Sequence, residues 1–378
     1  MKNIFILLLF SSHPVYSQFN QLKYGKHKPG FISVTRFDTS RPAVKEQFSK
    51  AKGRIIQINL WYPSSTANSK VTSFQDYVGL IGKELNNTSS KNWKQAGIDR
   101  YFEWPALAGA DKNKFISFLN DKQKMMASLN AKWTGTKYPL IMLVHGFAAD
   151  YAYLGEYLAS YGYIVMHVPV KGTTQYELDY EGLGLQSQVK DYEFALDILN
   201  REFPWFTAKT AVVGFSFGGQ SAVALAIRNN ANAVISFDGG IGSAFGASLL
   251  SRQPYYNDSL VTMPLLHLYN PADTYTDLSW FNTVTRTTRL LAPVKNMQHG
   301  FFTSFGLLNK VVPGIMGKDV ADPGNNYEAV MLLTKEFLNA TVKNNETPAL
   351  ISFFSKQRKA APWIDNCIGA TMLLTEGS

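Results

Sequence analysis

The stretch V212-V213-G214-F215-S216-F217-G218-G219-Q220-S221-A222 decides how the chain folds. An apolar run ends at Gly214, and a single serine follows inside a knot of small residues. A run of alanines, Ala222, Ala224 and Ala226, comes next. Gly214 to Gly218 spell G-x-S-x-G, and the local pattern predicts a strand over 210–214 and a helix over 219–228. That strand–turn–helix context is the one in which the motif makes a nucleophile elbow. The tight turn exposes the serine hydroxyl, and side chains at the flanking glycines would collide with the turn. Without that context, the motif is only a Gly-rich connection between two elements.

Working outward, apolar runs without polar alternation recur and alternate with helical stretches. Strands are predicted at 138–144, 163–168, 210–214, 233–237, 264–269 and 291–297. Helices are predicted over 151–161, over a stretch marked by Val189, Tyr192, Leu196 and Leu199, over 219–228, and from Tyr327 to Leu338. Such alternation predicts an α/β fold with a mostly parallel central sheet covered by helices on both faces. "RIIQINLWYP" at 54–63 alternates and reads as one more strand, stopped by Pro63. Residues 18–53 are polar, with turn signals. The region 66–137 interrupts the order and reads as a helical insertion. Phe74, Tyr77, Val78 and Ile81 share one helical face, and Phe115, Leu119, Met126 and Leu129 share another. This insertion, with Met125 and Met126, is read either as a lid over the site or as an accessory layer on the sheet. "KQRKAAPW" at 356–363 reads as a loop in a C-terminal tail, 346–378, of undefined structure.

Composition narrows the class. The 378 residues are 46% hydrophobic and 17% charged, enough for a sizeable core and too apolar for a disordered chain. The formal charge of +9 comes from scattered lysines and arginines, which points away from a nucleic-acid site. "MKNIFILLLFSSHPVYSQ" has a basic start, an apolar run from Ile4 to Phe10 and small residues before Ser17. This is the pattern of a cleaved signal peptide over 1–17, so a secreted or periplasmic protein is expected. The run is shorter than the roughly 20 residues that span a bilayer. Cys367 is the one cysteine, so no internal disulfide is expected, and none lies near the leader to carry a lipid anchor. No H-E-x-x-H, cysteine pair or phosphate-binding glycine motif is present, and no metal or organic cofactor is expected.

In open parallel sheets, ligands sit at the carboxyl ends of the strands, so the chemistry is sought in the loops that follow them. A serine hydroxyl needs a base. His267 lies inside a strand and reads as a core histidine, whereas His299, in "NMQHGFF", follows the last strand and is assigned as base. The base needs an acid to fix its tautomer. Asp238 ends "AVISFD" and Asp273 sits in "YNPADTYTD"; both give the order Ser, Asp, His, and Asp277 is a third candidate. The aspartate not used is expected to be a turn or cap residue. An oxyanion needs two backbone N–H groups, and Phe217 and Phe147 supply the natural pair, with His145 as a structural residue of its loop. Phe215, Phe301 and Phe302 crowd the same region and are read as an apolar substrate pocket or as core.

With "LWYP", "VHGF", "GFSFGG", "ISFDGG" and "MQHGFF" in this order, the chain resembles the α/β-hydrolases over residues 54 to 340. It is most similar to the branch of platelet-activating-factor acetylhydrolase and the dienelactone-hydrolase-like esterases. The resemblance implies an acid on the strand directly after the nucleophile helix, which selects Asp238 over Asp273. It also implies Ser216 and His299 as nucleophile and base, with Phe147 and Phe217 as oxyanion amides. Phe215 stands where such motifs often have histidine. The function so implied is a serine hydrolase of carboxylic esters, acting on a small-molecule or polymer ester. A serine peptidase or acyltransferase of the same fold, or a non-catalytic binding protein on that scaffold, is the alternative.

Overall fold

The structure is a computed structural model. It describes residues 19–45, 53–65, 70–85, 93–103, 110–120, 124–316, 322–344, 352–369 and 372–374. The leader expected over 1–17 lies outside the described residues.

Among the described residues, eleven strands form one sheet: β1 Lys28–Asp38, β2 Arg54–Ser64, β3 Val71–Ser73, β4 Lys124–Leu129, β5 Tyr138–Val144, β6 Ile164–Val168, β7 Phe206–Phe215, β8 Ala233–Phe237, β9 Leu265–Tyr269, β10 Arg289–Pro293 and β11 Met372–Leu374. Their order across the sheet is β11-β10-β9-β8-β7-β5-β6-β2-β1-β4-β3. From β6 to β10 every neighbouring pair is parallel. β2 joins β6 antiparallel, as β1 joins β2 and β11 joins β10. The helices are α1 Phe74–Leu85, α2 Trp93–Phe102, α3 Lys112–Asn120, α4 Ala152–Ser160, α5 Gly182–Glu202, α6 Gly218–Asn229, α7 Ala244–Ser251, α8 Trp280–Thr283, α9 Phe305–Val311, α10 Pro323–Leu338 and α11 Phe353–Ala360.

The unbroken apolar runs have a simple cause, since both faces of the sheet are covered. On β5, Ile141 and Leu143 enter the core shared with α4 and α10. Leu140, Met142 and Val144 enter the opposite core, with α5 and α6. The small Ala222, Ala224 and Ala226 are fully buried and bring α6 close to the sheet.

Four sequence expectations are corrected. Residues 66–137 are not wholly helical, because β3 and β4 pair at the sheet edge beyond β1. Met126 and Leu129, read on a helical face, therefore lie on β4, and only Phe115 and Leu119 share a helix. Second, the polar segment before residue 53 contains β1, paired along its whole length with β2. Third, Pro63 does not stop β2, which runs on to Ser64. Fourth, most of "KQRKAAPW" belongs to α11 and the turn after it, with Phe353, Phe354 and Gln357 buried.

β4 is held by a carboxylate. Glu156 on α4 is fully buried and accepts hydrogen bonds from the Met126 and Ala127 amides at 2.8 and 2.9 Å and from the Tyr77 hydroxyl at 2.8 Å. Burial pushes its pKa up to about 7, against the pull of these donors.

Candidate active site

The elbow forms where β7 meets α6. Ser216 has φ of 55°, in the left-handed region that a serine rarely adopts. Its neighbours make that turn possible. A Cβ on Gly214 would lie 2.0 Å from the Gly218 carbonyl oxygen, and one on Gly218 would lie 2.3 Å from the Val144 carbonyl oxygen. The Ser216 carbonyl accepts from the amides of Gly219 and Gly240, which fixes the turn against the loop after β8.

That loop carries Asp238, also left-handed at φ of 45°. Its carboxylate is largely buried. Oδ1 accepts from the Asn270 amide at 2.8 Å, and Oδ2 lies 2.7 Å from His299 Nδ1. His299 opens a short helical turn after β10, and its Nε2 lies 2.9 Å from Ser216 Oγ. The imidazole packs on the Phe215 ring, with centroids 4.7 Å apart. Ser216, Asp238 and His299 thus form one hydrogen-bonded chain built from three loops at the carboxyl ends of β7, β8 and β10. The geometry also separates the two leading aspartates. Asp273 Oδ1 accepts from the Tyr275 amide at 2.9 Å, as a turn residue does. Asp277 likewise caps the Ser279 amide.

Phe217 follows the serine directly and is the N-cap residue of α6. The Phe147 amide departs from expectation. It donates to Asp150 Oδ2 at 2.7 Å, so in this structure it is directed at a carboxylate. Asp150 is fully buried, accepts from Tyr101 of α2 at 2.8 Å, and receives the Ser304 amide and hydroxyl on its own carbonyl. Burial raises its pKa to about 7. Sequence reasoning missed this residue, because no local pattern sets it apart from other loop acids.

The pocket assignment is also corrected. Phe215, Phe301 and Phe302 are completely buried in the core under the site, and none lines the cavity at Ser216. They support the loops from below. Met125 and Met126 lie on β4 and do not reach the site cavity. The cavity that holds Ser216 and His299 has a volume of about 420 Å³ and is walled by Tyr180, Phe217, Phe245, Tyr269 and Tyr275. A smaller one, about 210 Å³, lies against Phe147 and Tyr176 and shares Tyr180 with the first. Arg100 of α2 lines it, so the insertion contributes one wall there. His145 has φ of 80° and is buried; desolvation and the nearby His299 lower its pKa to about 3, so it stays neutral. No group of three or more potential metal ligands occurs among the described residues, and no described helix is long and apolar enough to cross a membrane.

The architecture, with a nucleophile-type elbow after its central strand, is the α/β-hydrolase fold. Comparison with known proteins agrees with this fold. The family model for chlorophyllase matches residues 120–245, a span that contains Ser216 and Asp238 and stops short of His299. A ferulic acid esterase from Streptomyces cinnamoneus superposes with a TM-score of 0.61 at 19% identity, over 87% of this chain and 94% of that one. At that identity the likeness speaks for the fold. An acylaminoacyl peptidase from Pyrococcus horikoshii overlaps 55% of this chain and 38% of its own, with a TM-score of 0.38 and 18% identity. No curated protein matches by sequence. The acetylhydrolase branch rests on the sequence motifs alone.

Proposed function

We propose that the protein is an exported serine hydrolase that cleaves carboxylic esters. The observation that carries this reading is the hydrogen-bonded chain from Ser216 Oγ through His299 to Asp238, at 2.9 and 2.7 Å. Ser216 attacks the acyl carbon while His299 Nε2 takes its proton. Asp238 holds the ring by Nδ1 and stabilises the imidazolium. The Phe217 N–H faces the developing oxyanion. The Phe147 N–H joins it only by sharing or leaving Asp150. The imidazolium returns its proton to the leaving alcohol, and a water, activated in the same way, releases the acid and restores Ser216.

The ferulic acid esterase neighbour and the chlorophyllase match favour ester cleavage over the peptidase reading. The intact hydrogen-bonded chain argues against a scaffold that only binds. Export is inferred from the leader pattern.

Turnover of p-nitrophenyl esters of rising chain length tests the assignment. Ser216→Ala is expected to abolish turnover. Asp238→Asn is expected to lower kcat by about 10³ to 10⁴, as loss of the tautomer-fixing acid does. Asp273→Asn is expected to stay within about threefold, since it alters only a turn. Full activity in Ser216→Ala, or loss confined to Asp273→Asn, contradicts the assignment.

A further inference from the structure

The cavity beside Ser216 has a floor that the ester chemistry does not use. Gln220 on α6 and His267 on β9 both line it, and each is almost completely buried. Gln220 Oε1 and His267 Nδ1 have no hydrogen-bond partner among the described residues. Ser236 Oγ, opposite His267 in the β8–β9 register, is likewise buried and unpartnered. Buried polar groups are normally satisfied, and one left unpaired is costly. Gln220 and His267, both lining one cavity, call for a ligand group or water that pairs with them.

The floor is kept open by the absence of side chains. A Cβ on Gly240 would sit 2.2 Å from Gln220 Oε1, and one on Gly242 would sit 2.4 Å from His267 Nε2. Any larger residue in this turn would close the space over both groups. The walls are aromatic, and the rings at the mouth are exposed: Tyr180 by 51%, Phe245 by 57% and Tyr275 by 80%. Large exposed rings around a concave site mark a binding surface. Deeper in, Tyr269 stacks on His267 at 5.2 Å with planes 4° apart, giving a flat surface.

The chemistry of the floor selects the ligand group. A glutamine Oε1 only accepts, so it needs an N–H or O–H. Burial lowers the His267 pKa to about 4, so its ring is neutral and offers one donor and one acceptor. A hydroxyl group, which both donates and accepts, complements the two. We propose, resting on the ester-hydrolase reading of the same site, that this floor is a specificity subsite for a hydroxyl carried on a planar aromatic group of the ester. Gln220 and His267 read the hydroxyl, and the aromatic walls hold the ring.

Calorimetric titration of the folded Ser216→Ala protein tests the subsite without requiring turnover. The ligands are methyl cinnamate and its 3- and 4-hydroxylated forms. One hydroxylated ester is expected to bind at least about tenfold more tightly than the unsubstituted one, because a site built for a hydroxyl rejects the analogue lacking it. Adding Gln220→Leu or His267→Phe is expected to reduce that ratio to below about twofold, with folding checked by thermal melting. Two variants are used so that a folding failure of one leaves the other. Equal affinities for all three esters overturn the subsite, as does a preference that survives in a folded double-site variant. Turnover of the same esters by the unmodified protein keeps the two readings apart. Hydrolysis without a hydroxyl preference removes the subsite and leaves the esterase. Preferential binding without hydrolysis leaves the subsite and removes the esterase.

Discussion

At the scale of single residues, the backbone at Ser216 is under steric load. A serine at φ of 55° brings its Cβ close to its own carbonyl oxygen, a conformation that costs roughly 1 kcal/mol in any residue but glycine. The turn holds because the amides of Gly219 and Gly240 bind the Ser216 carbonyl. Two inactive variants are therefore expected to differ in stability. Ser216→Gly removes the Cβ and should melt higher than Ser216→Ala, which keeps it, by the equivalent of up to about 1 kcal/mol. Differential scanning calorimetry of the pair checks this. Identical melting, or a less stable glycine variant, would mean that the turn carries no such load. This residue was legible in the sequence because its constraint is local. The glycines that avoid the Gly218 and Val144 carbonyls stand within two positions of it. Asp238 was not separable from Asp273 by local pattern, since both close a strand. What separates them is which carboxylate meets a ring 61 or 26 residues later in the chain, and the branch resemblance supplied that choice. The contact of the Phe147 amide with Asp150 was not legible, because nothing in the local pattern marks Asp150 as a buried acid.

At the scale of elements, strands buried on both faces announced themselves by unbroken apolar runs, and β5 to β10 followed. Elements at the sheet edge did not. β1 carries half-buried residues from Ile32 to Arg36, so its pattern is mixed. β4 takes its place from Glu156, a contact made across the fold. Burial raises the pKa of Glu156 and of Asp150 to about 7, so the folded state keeps a proton on each that the unfolded chain loses. Each therefore makes stability fall as pH rises to 7, from near 3.8 for Asp150 and near 4.5 for Glu156. The buried His145, His167 and His267, lowered to about 3, 3 and 4 by desolvation, act in the opposite sense between about 4 and 6.5, where only the unfolded chain binds their protons. In that window the two acids offset two of the three histidines, which leaves a net rise of stability with pH. Glu156→Gln removes one term of the falling set. Its stability is expected to rise with pH between 4.5 and 6.5 more steeply than that of the unmodified protein, by up to about 1.4 kcal/mol per pH unit. Urea denaturation at a series of pH values measures the slopes. Equal slopes would show that Glu156 is ionised in the folded state.

At the scale of the whole molecule, the site exists only when the sheet is assembled. Ser216, Asp238 and His299 come from three loops, and parallel pairing of β7, β8, β9 and β10 sets their spacing. Asn270, after β9, secures the free oxygen of Asp238. The reactive hydroxyl should thus be a property of the folded chain and not of the Gly-Phe-Ser-Phe-Gly segment. The core aromatics Phe301 and Phe302, expected near the substrate, serve this assembly by filling the space under the His299 turn. The most direct measurement is the site of covalent labelling by a fluorophosphonate, read by peptide mass spectrometry on native and urea-unfolded protein. A single phosphonyl adduct on Ser216, formed by the native protein and lost both on unfolding and in His299→Ala, is the expected result. A folded protein that takes no label, or takes it on another residue, would contradict a Ser216 nucleophile activated by His299.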